Sequence, residues 1–156
     1  MLNRKTWVPA LLALVGLGTS IAFAADKVSL EGVKCLMVAK KDANAEKSSK
    51  WKEGKVYFCC DGCLGKYEKM DDKAKEKIAA KANHQLVATK QYVQKGCPFS
   101  GGDIDESTAI KVAGAKVAFC CNNCKGKAEK MEGEKQVAAL FGEAAFKKAG
   151  FAPAKH

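Results

Sequence analysis

The sequence predicts an α+β fold of two tandem small modules, each with a turn, a β-hairpin and a helix, and with additional helices after each core. Three observations support this. Eight cysteines form two groups of four with nearly the same spacing, the residues around them repeat, and short β-branched or aromatic runs alternate with stretches of helical periodicity. We predict a signal peptide over 1–24, a first cysteine module over 25–90 and a second over 91–156.

The N-terminus has the three parts of a secretory signal peptide. Arg4 and Lys5 precede an apolar stretch over 7–21, and Ala22-Phe23-Ala24 provides small residues at a cleavage site. A membrane anchor is the alternative, but glycine and hydroxyl residues interrupt this stretch, and a spanning helix needs about 20 apolar residues. We therefore expect cleavage after Ala24, a periplasmic or secreted protein and no stable membrane insertion.

The charge balance is basic, with 27 Lys and Arg against 17 Asp and Glu and a net charge of +10. Removing 1–24 takes away two positive charges and no negative ones, which leaves +8. A basic chain can bind nucleic acid or an anionic surface. Here, however, the lysines are spread along both modules and interleaved with acidic residues, as over 66–81. We interpret them as a solvated face and expect no nucleic-acid partner.

Residues 33–70 and 95–131 are two copies of one unit. With one residue deleted from the second copy, the cysteines, the Phe before each Cys pair and the Glu-Lys-Met that follows all superpose. The matched pairs are Cys35 with Cys97, Cys59 with Cys120, Cys60 with Cys121 and Cys63 with Cys124. Because each copy keeps a complete set, we expect one closed site per module.

The strands of each unit follow from its pattern. A lead-in segment, 28–30 or 91–93, is expected to be extended, and a turn follows the first cysteine, with breaker residues over 98–103 in the second copy. A hairpin then spans 108–112 and 116–120 around Ala113-Gly114. In the first copy its turn lies near Glu53-Gly54, before the strand over 56–58.

Helices are expected directly after the vicinal cysteines, with Asp61 and Asn122 as N-caps. Further helices are predicted over 72–82 and 134–149, the last ending at Gly150. Their apolar stripes are interpreted as core. These stripes comprise Leu64, Tyr67 and Met70 in the first copy, Ala128 and Met131 in the second, and Val137, Leu140, Phe141 and Ala144 in the last helix.

The position of the cysteines favours metal ligation. Backbone N–H groups and the dipole of a helix start favour negative charge, so we expect the pKa of Cys63 and Cys124 to be lowered. Vicinal cysteines point to opposite faces of a continuing strand. The strand must break for both to reach one ion, as Asp61-Gly62 permits. The pattern allows a ligand pair Cys59 and Cys63, a pair Cys60 and Cys63, or both.

The second copy resembles the TRASH/YHS group of metal-binding domains. Cys97-Pro98-Phe99-Ser100-Gly101, followed by Phe119-Cys120 and then Cys124, fits the motif C-x(19–22)-C-x3-C of that group. The resemblance covers 35–63 and 97–124. The first copy departs from the motif because 23 residues separate Cys35 from Cys59 and the Pro and Gly are missing.

The resemblance implies treble-clef-like modules, shared with a zinc-binding protein of the large ribosomal subunit, and a role in metal sensing, trafficking or resistance. Zinc is the first expectation, with copper or another soft metal as alternatives. The ligands it implies are Cys35, Cys59 and Cys63, and Cys97, Cys120 and Cys124. The ribosomal relatives often have a fourth cysteine where this chain has Val38 and Ser100. We infer that Cys60 and Cys121 replace it.

Three functions fit these residues. The first is a non-enzymatic protein whose partners are metal ions, held structurally or as cargo. The second is a disulfide-stapled structural protein, which an even number of cysteines in an exported chain favours. The third is a thiol–disulfide oxidoreductase using Cys60-x-x-Cys63 or its repeat, although no βαβ pattern surrounds either motif. Of the two histidines, His84 and His156, the first is expected at the surface between the modules.

Overall fold

The computed structural model describes residues 28–155 and contains the predicted hairpin–helix unit twice. In chain order the elements are β1 (Asn44–Trp51), β2 (Gly54–Phe58), α1 (Asp61–Glu68), α2 (Asp72–Ala88), β3 (Tyr92–Val93), β4 (Asp105–Val112), β5 (Ala115–Phe119), α3 (Asn122–Glu129), α4 (Gly133–Phe141), α5 (Glu143–Lys148) and β6 (Ala152–Pro153). The strands form three antiparallel pairs, β1 with β2, β4 with β5 and β3 with β6. The α+β class is confirmed, while the treble-clef topology stays a prediction.

The two units correspond residue by residue. Each element from β4 to α3 begins 61 positions after its counterpart between β1 and α1, as Asp105 does after Asn44. The deleted residue falls in the loop after the first cysteine. The Cys35 N–H donates to the carbonyl of Lys41, six positions on, whereas the Cys97 N–H donates to Gly102, five positions on, both at 2.8 Å.

The predicted hairpins are present, with two-residue turns at 52–53 and 113–114. Ala113 and Gly114 have φ values of 45° and 95°, the left-handed conformation that tight hairpin turns require. The second lead-in segment is extended, as β3. The first, 28–30, forms no strand.

Two helices differ from the prediction. α2 continues to Ala88, because its second half is buried on several sides. The predicted helix over 134–149 is broken at Gly142, whose backbone is extended with ψ of 153°. A side chain there would place its Cβ 2.6 Å from the Ala138 carbonyl oxygen. The break turns α5 away from α4, and Ala144, predicted as core, is exposed.

The apolar core consists of two clusters joined by α2. The smaller lies around Phe58 and Tyr67 in the first module, and the larger around Phe119 and Phe141 in the second. Trp51 packs against both clusters. α2 contacts β2, β5, α4 and α5, so the helix that ends the predicted first module is also packed into the second.

The predicted signal peptide, its cleavage site and His156 lie outside the described residues. The predicted module boundary at 90 and 91 falls in the loop between α2 and β3. Among residues 28–155, no helix has both the length and the apolar character needed to cross a membrane.

Candidate metal centres

Three cysteine sulfurs converge in each module. The sets are Cys35, Cys59 and Cys63 in the first and Cys97, Cys120 and Cys124 in the second, and within each set all sulfurs lie within 4.8 Å of one another. The first cysteine comes from the loop before the hairpin, the second from the end of β2 or β5, and the third from the first turn of α1 or α3. In each set the first and third cysteines are buried and the second is half-buried.

The fourth cysteine of each module lies beside this set and is exposed. The Cys60 sulfur is 3.7 Å from that of Cys59, and the Cys121 sulfur is 3.7 Å from that of Cys120. Cys60 and Cys121 are the N-caps of α1 and α3, so Asp61 and Asn122, predicted as caps, are instead the first helical residues. Whether the two exposed thiols act as fourth ligands stays a prediction.

Backbone N–H groups surround two of the four sulfurs in each module. Cys35 accepts hydrogen bonds from the N–H groups of Met37, Val38 and Cys59. Cys97 accepts from the equivalent residues Phe99, Ser100 and Cys120. The N-cap sulfurs accept from the second and third residues after them, which are Gly62 and Cys63 in the first module and Asn123 and Cys124 in the second. Converging N–H donors of this kind stabilise an anion.

These donors divide the thiols into two classes. Burial opposes ionisation of Cys97, but the Ser100 hydroxyl and the three N–H groups outweigh it and lower its pKa to about 6. The pKa of Cys35 is lowered in the same way. Burial and the neighbouring thiols raise the pKa of Cys59 and of Cys124 to about 12. A cluster therefore holds some thiolates readily, and a bound cation would help to release the remaining protons.

The predicted lowering of the pKa at Cys63 and Cys124 was wrong. Burial is the largest influence on both and raises their pKa. The helix start acts one turn earlier, where N–H groups of the first turn lower the pKa of Cys60 and Cys121. The physical reason is that the free N–H groups of a helix point back toward its N-cap.

The donor set and its spacing fit a soft metal. Thiolate sulfurs around a tetrahedral zinc ion, with bonds of about 2.3 Å, lie about 3.8 Å apart. The Cys59 and Cys63 sulfurs, like those of Cys120 and Cys124, are 3.7 Å apart. A disulfide needs about 2.05 Å. All eight cysteines are free thiols, so the structure does not contain the disulfides that the alternative interpretation requires.

Ser100 contacts the second cysteine set, which the sequence did not predict. The sequence predicts no ligand at this position, yet its hydroxyl oxygen lies 3.2 Å from the Cys120 sulfur. Its counterpart Val38 is apolar and 37% exposed. The sequence feature that could have indicated this contact is the serine three positions after a predicted ligand, in a C-x-x-S pattern.

His84 is half-buried between the modules, which is less exposed than the predicted surface position. Its Nε2 is 2.9 Å from the Val112 carbonyl oxygen, and its ring packs edge-on against Phe141. It lines a largely apolar cleft of about 260 Å³ that also includes Cys35 and Val137. The length of α2 explains the difference, because it carries His84 into the contact with β4 and α4.

Comparison with known proteins gives no match to a family model, to a curated protein or to a solved structure.

Proposed function

We propose that the protein is an exported, non-enzymatic metal-binding protein that holds one zinc ion, or another soft metal ion, in each module. The observation that carries this proposal is the convergence of three cysteine sulfurs within 4.8 Å, repeated in both modules. Thiolate ligands suit zinc and Cu(I). The exposed Cys60 and Cys121 complete each site as its fourth thiolate.

The arrangement favours buffering, trafficking or resistance over a fully enclosed structural site. The two outer sulfurs of each set are buried, whereas the vicinal pair faces the surface, with Cys59 half-buried and Cys60 exposed. A metal held there has protein on one side and solvent on the other. Thiolates of an acceptor can therefore approach an ion from the side of the vicinal pair.

Mass spectrometry of the mature chain tests metal binding. The protein is purified without added metal and with alkylating reagent excluded, then measured under native and denaturing conditions. We expect two additional metal masses under native conditions and a fully reduced chain under denaturing ones. A chain without ions whose mass is lowered by two hydrogens for each disulfide would contradict the proposal and support disulfide staples.

Export is tested separately, because it rests on the sequence of 1–24 alone. N-terminal sequencing of protein recovered from a bacterial periplasm should begin at Ala25. A chain that begins at Met1 and fractionates with membranes would contradict export and leave the metal sites untouched.

A further inference from the structure

We propose that Ser100 is a positioning residue that makes the second module the tighter metal site, so that the two repeats fill in order. This inference rests on the proposed function and concerns how its two sites differ. The Ser100 hydroxyl oxygen lies within hydrogen-bonding distance of the ligand sulfur of Cys120, at 3.2 Å, and the first module has the apolar Val38 in the same place.

The equivalence of Ser100 and Val38 is structural. Each follows the first cysteine of its set by three positions. Each also donates its backbone N–H to the sulfur of that cysteine, together with the residue before it and the middle cysteine. The backbone N–H donors to the first ligand sulfur are therefore equivalent in both modules. What differs at this position is the side chain, a hydroxyl in one copy and two methyl groups in the other.

The Ser100 hydroxyl has one proton and several polar neighbours. Its oxygen accepts a hydrogen bond from the Gly102 N–H at 3.2 Å. Its single proton is left for one ligand thiolate at a time, and the Cys120 sulfur lies 3.2 Å away. The hydroxyl also lies against the Cys97 sulfur. Ser100 thus bridges the loop that supplies the first ligand and the strand end that supplies the second.

Such a bridge favours metal binding in two ways. It fixes the distance between two ligand sulfurs before the ion arrives, and it offsets part of the negative charge that collects when several thiolates surround one ion. Groups that hydrogen-bond to metal ligands typically change metal affinity by 10–100-fold when they are removed. We expect a difference of about tenfold between the two modules from this hydroxyl.

The test is a Zn²⁺ titration of the full mature chain against a chromophoric chelator. Alkylation by N-ethylmaleimide and peptide mass mapping then show which cysteines become protected at each step. We expect the peptides of 120–124 to be protected before those of 59–63. Ser100→Ala should lower the affinity of the second site by about tenfold and remove the order of filling, whereas Ser100→Thr, which keeps the hydroxyl, should preserve both.

The matched variant is Val38→Ser in the first module, which should raise the affinity of that site by a similar factor. A gain in metal affinity cannot arise from a folding defect. Val38→Ser therefore still tests the inference if Ser100→Ala fails to fold. Equal affinities in the unaltered protein, or unchanged affinity in both Ser100→Ala and Val38→Ser, would overturn the inference while leaving two metal sites. Failure of the unaltered protein to bind zinc, copper or cobalt would instead overturn the proposed function.

Discussion

The two cysteines of each vicinal pair have different surroundings although they are adjacent in the chain. Cys60 and Cys121 have extended backbones, with φ of −162° and −168° and ψ of 167°. The first cysteine of each pair is half-buried within the converging set and the second is exposed at the helix start, with the two sulfurs 3.7 Å apart. Binding by four thiolates requires the exposed sulfur of the second cysteine to reach the same metal ion as the other three.

We predict that Cys121→Ser weakens metal binding in the second module nearly as much as Cys124→Ser. A closed zinc site needs four ligands, and the Cys121 sulfur is already 3.7 Å from that of Cys120. Co²⁺ titration measures both affinity and the sulfur-to-cobalt charge-transfer absorption, which decreases when one thiolate is lost.

The corresponding variant Cys60→Ser should behave alike in the first module and serves as the matched comparison. If Cys121→Ser leaves both the affinity and the charge-transfer band unchanged, the site has three thiolates. Its fourth position then belongs to water or to a partner.

His84 should make the fold less stable in mild acid. Burial lowers its pKa below the usual 6.5, so the unfolded chain takes up a proton more readily than the folded chain. The contribution of neutral His84 to the free energy of unfolding is therefore fully present above pH 6.5 and is lost as the pH falls below it.

We measure the free energy of unfolding in urea at pH 7.5 and at pH 5.5, with the metal state matched. Its decrease between the two pH values should be smaller for His84→Gln than for the unaltered chain. Glutamine can still donate to the Val112 carbonyl, so the comparison isolates the charge. An equal loss in both proteins would show that His84 is not the group responsible.

At the scale of elements, glutamine side chains replace missing strands. β2 has β1 on one side only, and on the other Gln85 accepts from the Tyr57 N–H at 2.8 Å and donates to the carbonyls of Tyr57 and Lys34. Gln94 makes the equivalent pair of bonds with Ala118 of β5. These amides satisfy strand edges that would otherwise carry unpaired backbone groups.

Gln85→Leu should therefore destabilise the protein by about 2 kcal/mol, because it leaves the Tyr57 N–H of β2 without a partner at nearly constant side-chain volume. Urea denaturation followed by circular dichroism measures the free energy of unfolding. Lys77→Ala, at an exposed position of the same helix, is the control and should change it by less than about 0.5 kcal/mol. Equal effects of the two substitutions would remove the role assigned to Gln85.

At the scale of the whole molecule, α2 connects the two repeats by packing and hydrogen bonds. Asn83 is fully buried, accepts a hydrogen bond from Trp51 Nε1 at 2.9 Å and donates to the Phe141 carbonyl at 2.9 Å. It thereby links the first hairpin to α4 of the second unit. Trp51 itself packs against both apolar clusters.

We expect the metal-loaded mature chain to unfold in one transition. Trp51 is the only tryptophan after residue 24, so its fluorescence reports the junction, while circular dichroism reports all helices. Midpoints of urea unfolding that coincide for the two probes would agree with one cooperative unit. Two separated transitions would show that the modules fold independently, as their sequences alone suggest.

The sequence by itself determined the local features of this protein. Repeated cysteine spacing identified the two groups of four cysteines, and the resemblance to a metal-binding motif implied the six whose sulfurs converge. Turn residues such as Ala113-Gly114 located the hairpins, because turn conformation depends on neighbouring residues. Only the tertiary structure decided the rest. Periodicity could not show that Gly142 breaks the last helix, that His84 is half-buried between the modules or that Ser100 reaches the Cys120 sulfur. Those features depend on contacts between segments distant in sequence, where packing overrides local preference.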